Sequence, residues 1–213
     1  MDKTVYLIPA PDMDERSIAS IQLEGCTVIP LTLDPIKRHT DLSVYVKSLA
    51  SQIRQERPIL LGACYGGPLA LELSRILAVE KVIVVAAVKS CDELTFRWKM
   101  IFFCYLHFPS WLEKFIGITL AFVINKVLRI PVKIPRVWRK GGQNKFIAKH
   151  LLTFRGNPEL TNVFHIHGSR DSIFPIKAIK NVNIVINSGH FMIDKSRRAT
   201  LNAISEAVHA TTI

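Results

Sequence analysis

Three side chains able to do chemistry stand at matching places along this chain. They are Cys64 in "LLGACYGGPLAL", Asp171 in "HIHGSRDSIFP" and His190 in "NSGHFMI". Each closely follows a short apolar run that reads as a strand. A thiol, a carboxylate and an imidazole are the groups that nucleophilic catalysis needs. The imidazole takes the thiol proton, the carboxylate orients the imidazole, and the thiolate attacks an electrophilic carbon. Gly62 and Gly66 sit two residues either side of Cys64, which gives the backbone room for a tight bend between strand and helix. The helix that follows points unpaired N–H groups at the bend, where they favour negative charge.

Each residue also has a plainer reading. Cysteine is commonly a small buried apolar residue. Asp171 can cap the turn after its strand, and His190 can be an ordinary loop histidine. The order nucleophile, acid, histidine, each just past the C-terminal end of a strand, favours a shared site, because open parallel sheets bind ligands there. His165 and His167 alternate along one strand and raise the question of a metal. They share one face with no third ligand in view, so no metal and no cofactor is expected.

The elements that must position these residues alternate regularly. Strands are expected at Thr4–Pro9, Cys26–Leu33, Ile59–Cys64, Lys81–Val88, Asn162–Gly168 and Val182–Asn187. Helices are expected at Met13–Gln22, at Leu42–Ile53 behind a Thr40 or Asp41 cap and ended by Pro58, after the Cys64 turn through Leu69, Leu73 and Leu77, and from about Lys195 to His209. This alternation predicts an α/β fold with a doubly wound, six-stranded parallel sheet. A single domain over 1–213 is expected, with a helical cap inserted at 92–158.

That insertion differs in composition from the rest. The chain of 213 residues carries a net charge of +11, and residues 96–150 hold eleven Lys or Arg against one acid, Glu113. The stretch is rich in aromatics such as Phe96, Trp98, Phe103, Trp111 and Trp138. Its charge-free runs, Ile101–Leu112 and Phe115–Asn125, fall short of the roughly 18–20 residues that cross a bilayer. Three readings stand side by side: a cap that packs on the sheet with a solvated basic face, a lipophilic acyl pocket with cations near an anionic head, and weak contact with an anionic membrane surface. No helix-turn-helix, RRM-like or zinc pattern supports nucleic acid as a partner. Cys26, Cys64, Cys91 and Cys104 lie far apart with no CxxC pair, which argues against a disulfide framework and fits a reducing compartment. No leader pattern opens "MDKTVYLIPAP", so a cytoplasmic protein is expected. Nothing in the sequence sets the oligomeric state.

With these motifs in place, the chain resembles the α/β-hydrolase fold superfamily over nearly its whole length, and in particular its small bacterial members. "GACYGG" is similar to the nucleophile elbow, "HGSRDSIFP" to the acid loop and "SGHFM" to the histidine loop. The resemblance implies a sheet reduced to six strands and a cap between the fourth and fifth. It also implies Cys64 as nucleophile, His190 as general base and Asp171 as orienting acid. Two departures stand out. Cysteine replaces the usual serine, as it does in dienelactone hydrolases and polyester synthases of this fold. The first loop, usually close to I-P-G-L-G-A-D-E-R, here reads "IPAPDMDER". The residue expected to give an oxyanion N–H is then Pro11, which has none. Asp12 puts a carboxylate beside the place where negative charge develops. Tyr65 N–H remains as the evident donor, and losing one donor costs on the order of 10²–10³ in rate. The expectation is hydrolysis of a lipophilic ester or thioester through a Cys–His–Asp triad and an acyl-enzyme. An acyltransferase, or an impaired scaffold that binds a lipid or anion, stands beside it.

Overall fold

The computed structural model describes residues 3–11, 13–36, 40–107, 126 and 141–210. Asp12 and much of the 92–158 insertion lie outside these described residues. The apolar runs form β1 (Lys3–Ile8), β2 (Cys26–Pro30), β3 (Ile59–Ala63), β4 (Lys81–Val85), β5 (Val163–Gly168) and β6 (Ile184–Ile186). They pair in parallel in the order β2-β1-β3-β4-β5-β6. Val5 lies opposite Ile59, Ile59 opposite Lys81, Val82 opposite Val163, and Ile166 opposite Ile184. Every residue of β3 and β4 is buried, as a parallel sheet covered on both faces requires.

The helices are α1 (Glu15–Ala19), α2 (Leu42–Ala50), α3 (Gly66–Leu73), α4 (Phe96–His107), α5 (Gly141–Thr153), α6 (Met192–Lys195) and α7 (Arg197–His209). Strand alternation assigns them to two layers. Tyr6, Ile8, Leu60, Val82 and Val84 face Leu49 of α2, Leu69 and Leu73 of α3, and Phe154. Val5, Leu7, Leu61, Ile83 and Val85 face Ile204 and Val208 of α7 on the other side. Each such large apolar side chain contributes about 1.5–3 kcal/mol on burial. Strand order reverses between β1 and β3, so the crevice where such sheets take ligands lies between Ile8 and Cys64. After β4, a 3-10 turn (Cys91–Glu93) precedes α4, and α4 packs against α5. Among the described residues no helix is long and apolar enough to cross a membrane.

Several expected boundaries move: β2 ends at Pro30 rather than Leu33, β6 narrows to Ile184–Ile186 and α1 to Glu15–Ala19. Three others move for a local reason. β4 stops at Val85 rather than Val88, because Ala86 turns to φ +48°. α2, capped by Asp41, ends at Ala50, well before Pro58. There Gln52 leaves the helix and its side-chain amide bonds both backbone groups of Thr32, at 2.8 and 3.0 Å. α3 ends at Leu73, and Leu77 follows in the tightened turns that close it.

Candidate active site

β3 delivers Cys64 into a bend that only a small-residue frame permits. Cys64 has φ +50°, a left-handed conformation that costs a non-glycine residue about 1–3 kcal/mol. Two backbone bonds hold it: Cys64 N–H donates to Val85 O at 2.9 Å, and Gly67 N–H to Cys64 O at 3.0 Å. A Cβ on Gly62 would sit 2.3 Å from Gly66 O, and one on Gly66 would sit 2.1 Å from Ile8 O. The flanking glycines are thus required by close approach, of the bend to itself and to the end of β1.

β5 ends at Gly168 and the chain turns into the acid loop. Asp171 is buried there, and its Oδ1 accepts from Ile173 N–H at 2.9 Å and Phe174 N–H at 2.8 Å. The other oxygen, Oδ2, accepts from His190 Nδ1 at 2.8 Å. His190 follows β6 and lies between the rings of Phe174 and Phe191, with centroids 5.3 and 5.4 Å away. Its Nε2 is 3.1 Å from Cys64 Sγ. The three residues expected to form one site therefore lie in a continuous hydrogen-bonded line. Burial by itself would strip the proton from His190. Electrostatic attraction to Cys64 and the hydrogen bond to Asp171, then the hydrogen bond to Cys64 and the charge of Asp171, outweigh it and raise His190 to about 10. A protonated imidazole beside sulfur is the arrangement that a cysteine nucleophile would require.

Around the oxyanion position the sequence expectations divide. Tyr65 N–H opens the first turn of α3, where helical N–H groups lack an intrahelical acceptor. Pro11 lies in the turn closed by Met13 N–H donating to Ala10 O at 3.0 Å, and it has no N–H of its own. Asp12 falls outside the described residues.

Several partners of the site escape a reading of the sequence. The Tyr65 hydroxyl is 2.7 Å from Nδ1 of buried His150 on α5, and His150 Nε2 is 3.4 Å from Glu72 Oε1. That bond joins the inserted region to the Cys64 bend. His167 and His165, weighed only as metal ligands, instead bond each other at 3.2 Å, and His165 bonds Lys89 at 2.6 Å. Among the described residues no group of side chains could hold a metal. The one available signal was "KSCDE", where Lys89 and Glu93 stand four apart directly after a buried strand.

No family model matches the sequence, and no curated protein does. Solved structures do. The chain is similar to ClbQ of the colibactin NRPS/PKS pathway, with TM-score 0.66 and 12% identity over 98% of this chain and 97% of that one. It is similar to the esterase EaEST of Exiguobacterium antarcticum, with TM-score 0.68 and 14% identity over 98% and 92%. It also resembles the RedJ thioesterase of the prodiginine pathway of Streptomyces coelicolor, with TM-score 0.64 and 11% identity over 97% and 90%. The chain has the α/β-hydrolase fold, as its three motifs led one to expect.

Proposed function

From this fold and this line of side chains, we propose that the protein hydrolyses a carboxylic ester or thioester through Cys64. The observation that carries the reading is the geometry: Sγ to Nε2 at 3.1 Å, then Nδ1 to Oδ2 at 2.8 Å. The Cys64 thiolate attacks the acyl carbonyl carbon, and the carbonyl π electrons move onto oxygen. Tyr65 N–H and the positive end of α3 receive that oxyanion. As the tetrahedral adduct collapses, the bond to the leaving group breaks and His190 donates its proton to it. The acyl group is left on sulfur as a thioester. Neutral His190 then accepts a proton from water as the water attacks the thioester. A second collapse breaks the C–S bond, releases the carboxylic acid and restores the thiolate–imidazolium pair. Asp171 holds the imidazole throughout.

The composition of the 96–150 stretch supports a substrate class. Phe96, Met100 and Phe103 stand exposed at helical spacing on α4, beside Arg97 and Lys99. Together with the cationic 96–150 stretch, this supports a lipophilic acyl group near an anionic head, with 92–158 as a cap. Solved structures named as an esterase and a thioesterase add support to the class.

Pro11 favours a second reading, a scaffold that binds an acyl compound and turns it over poorly. A panel of p-nitrophenyl esters and acyl thioesters, followed by intact mass, separates the two. Hydrolysis is expected in wild type, with an acyl adduct on Cys64 that Cys64→Ala lacks. Normal turnover by Cys64→Ala overturns the reading. An adduct that forms and persists supports the poor-turnover scaffold, and its faster loss to added alcohols or thiols than to water identifies an acyltransferase.

A further inference from the structure

Behind Asp171 runs a line of buried polar groups that the proposed chemistry does not use. His167 Nε2 lies 2.8 Å from Phe174 O and 3.5 Å from Asp171 Oδ2. His167 Nδ1 lies 3.2 Å from His165 Nε2, two residues earlier on the same face of β5. His165 Nδ1 lies 2.6 Å from Lys89 Nζ, in the loop after β4. Lys89 Nζ also lies 3.2 Å from Glu93 Oε1 and donates to Lys180 O. Glu93 is 2% exposed and accepts from Lys89 N–H at 2.6 Å and Lys180 N–H at 3.0 Å. The line thus runs from the first turn of the insertion to the acid that holds His190.

The proton positions along it follow from its two ends. A carbonyl only accepts, so His167 Nε2 carries the hydrogen that goes to Phe174 O. Burial keeps both histidines neutral. It lowers His167 against the pull of the Phe174 carbonyl and Asp171, and with Lys89 and His167 alongside, against a hydrogen bond to the Ala87 carbonyl, it lowers His165 to about 2. A neutral imidazole with hydrogen on Nε2 has its lone pair on Nδ1. His167 Nδ1 therefore accepts from His165 Nε2–H. His165 Nδ1 then offers a lone pair and requires a donor. A lysine ammonium only donates, so the far end agrees with the near one. One arrangement of protons satisfies the bonds to Phe174 O, between the two rings and to Lys89, and its reverse fails at both ends.

We propose that Lys89 is a positioning residue: through His165 and His167 its ammonium fixes both imidazole tautomers, so that an N–H rather than a lone pair faces Asp171 and the loop that carries it. The proposal rests on the Cys64–His190–Asp171 reading only for its effect on reactivity. Without Lys89, His165 is free to put its hydrogen on Nδ1. His167 then meets a lone pair with a lone pair unless it reverses too, and reversal turns its own lone pair against Phe174 O and the Asp171 carboxylate. The titratable groups on the line and at its ends are Glu93, Lys89, His165, His167, Asp171 and His190.

The test uses the full chain with ¹⁵N-labelled histidine. Lys89→Met leaves buried Glu93 unpaired and threatens folding, so the double variant Lys89→Met/Glu93→Gln is made with it, and Lys89→Arg serves as the conservative replacement. Two readouts are taken: histidine tautomers by long-range ¹H–¹⁵N correlation, and the rate of Cys64 alkylation across pH. Wild type and Lys89→Arg are expected to show Nε2–H on both His165 and His167. The double variant is expected to show Nδ1–H on His165 and to lose about ten-fold in alkylation near neutral pH, the size of one hydrogen bond to a charged group. Unchanged tautomers in the double variant overturn the proposal. So does a changed tautomer with alkylation and its pH profile unaltered. An inert Cys64 in wild type sinks the catalytic reading alone, because the tautomer assignment does not depend on it.

Discussion

His190 and His165 are both buried, at 8% and 1% exposure, yet the fold drives their proton affinities in opposite directions. His190 is raised to about 10 and His165 is lowered to about 2. Burial opposes the charged form of both. The difference lies in what each ring faces: the Cys64 sulfur and a carboxylate for His190, an ammonium and a second histidine for His165. Asp171 stands between the two environments, accepting from His190 at 2.8 Å on the side of the thiol. One end of the sheet therefore carries a histidine held charged and a pair of histidines held neutral, separated by a single carboxylate.

The comparison can be broken most severely at that carboxylate. Asp171→Asn removes the charge and presents an amide to His190 Nδ1, and a loss of about 10⁴ in turnover is expected in an ester assay. A loss below about ten-fold would mean that Asp171 does not orient His190.

Next comes the thiolate. Cys64→Ala removes the largest influence that raises His190. The His190 titration, followed by NMR, is expected to fall by at least about one unit, a ten-fold loss of proton affinity. A midpoint that stays near that of wild type would place the cause elsewhere.

The neutral pair predicts the opposite sign. Unfolded, His165 and His167 each titrate near about 6.5. Folded, both lie lower. Below about pH 6.5 the unfolded chain therefore binds more protons, and stability falls as pH falls, by up to ~2.7 kcal/mol per unit for the two groups. Urea unfolding from about pH 7 to 5 measures this slope, and His165→Leu is expected to reduce it by up to half. A flat profile would show that the two histidines accept protons in the folded state. His190 runs the other way. Its contribution is full below about 6.5 and is lost as pH rises through about 10.

The smallest effect sharpens the boundary of the reactive half. Tyr65→Phe removes the 2.7 Å bond to His150 and is expected to lower stability by about 1–2 kcal/mol. Alkylation of Cys64 should stay within about two-fold, because the oxyanion role proposed for Tyr65 belongs to its backbone N–H, while its hydroxyl is held by His150. A large loss of reactivity would make the hydroxyl part of the chemistry.

The convergence of Cys64, Asp171 and His190 was legible in the sequence and the line from Lys89 to His167 was not, for a physical reason. Cys64, Asp171 and His190 each sit where a strand ends, and parallel strands bring their C-terminal ends together whatever their exact register. Gly62 and Gly66 announce the bend because nothing larger fits. The six strands were legible from their apolar runs, continuous and fully buried in the central β3 and β4, although local backbone turns such as that at Ala86 shortened them. The line from Lys89 to His167 depends instead on how β4 and β5 pair, Val84 opposite His165, and on where the loop after Ala86 carries Lys89. Neither is encoded in spacing. The same holds for His150, which reaches Tyr65 only because α5 packs back over the bend.

The central claim is an activated thiol, and the direct measurement is the second-order rate of Cys64 alkylation by a limiting reagent at about pH 6.5, well under the free thiol value of about 8.5. It is read by intact mass and peptide mapping on wild type and His190→Ala. The account predicts rapid modification of Cys64 in wild type and a large loss of rate in His190→Ala. Slow and equal modification of the two proteins would contradict it.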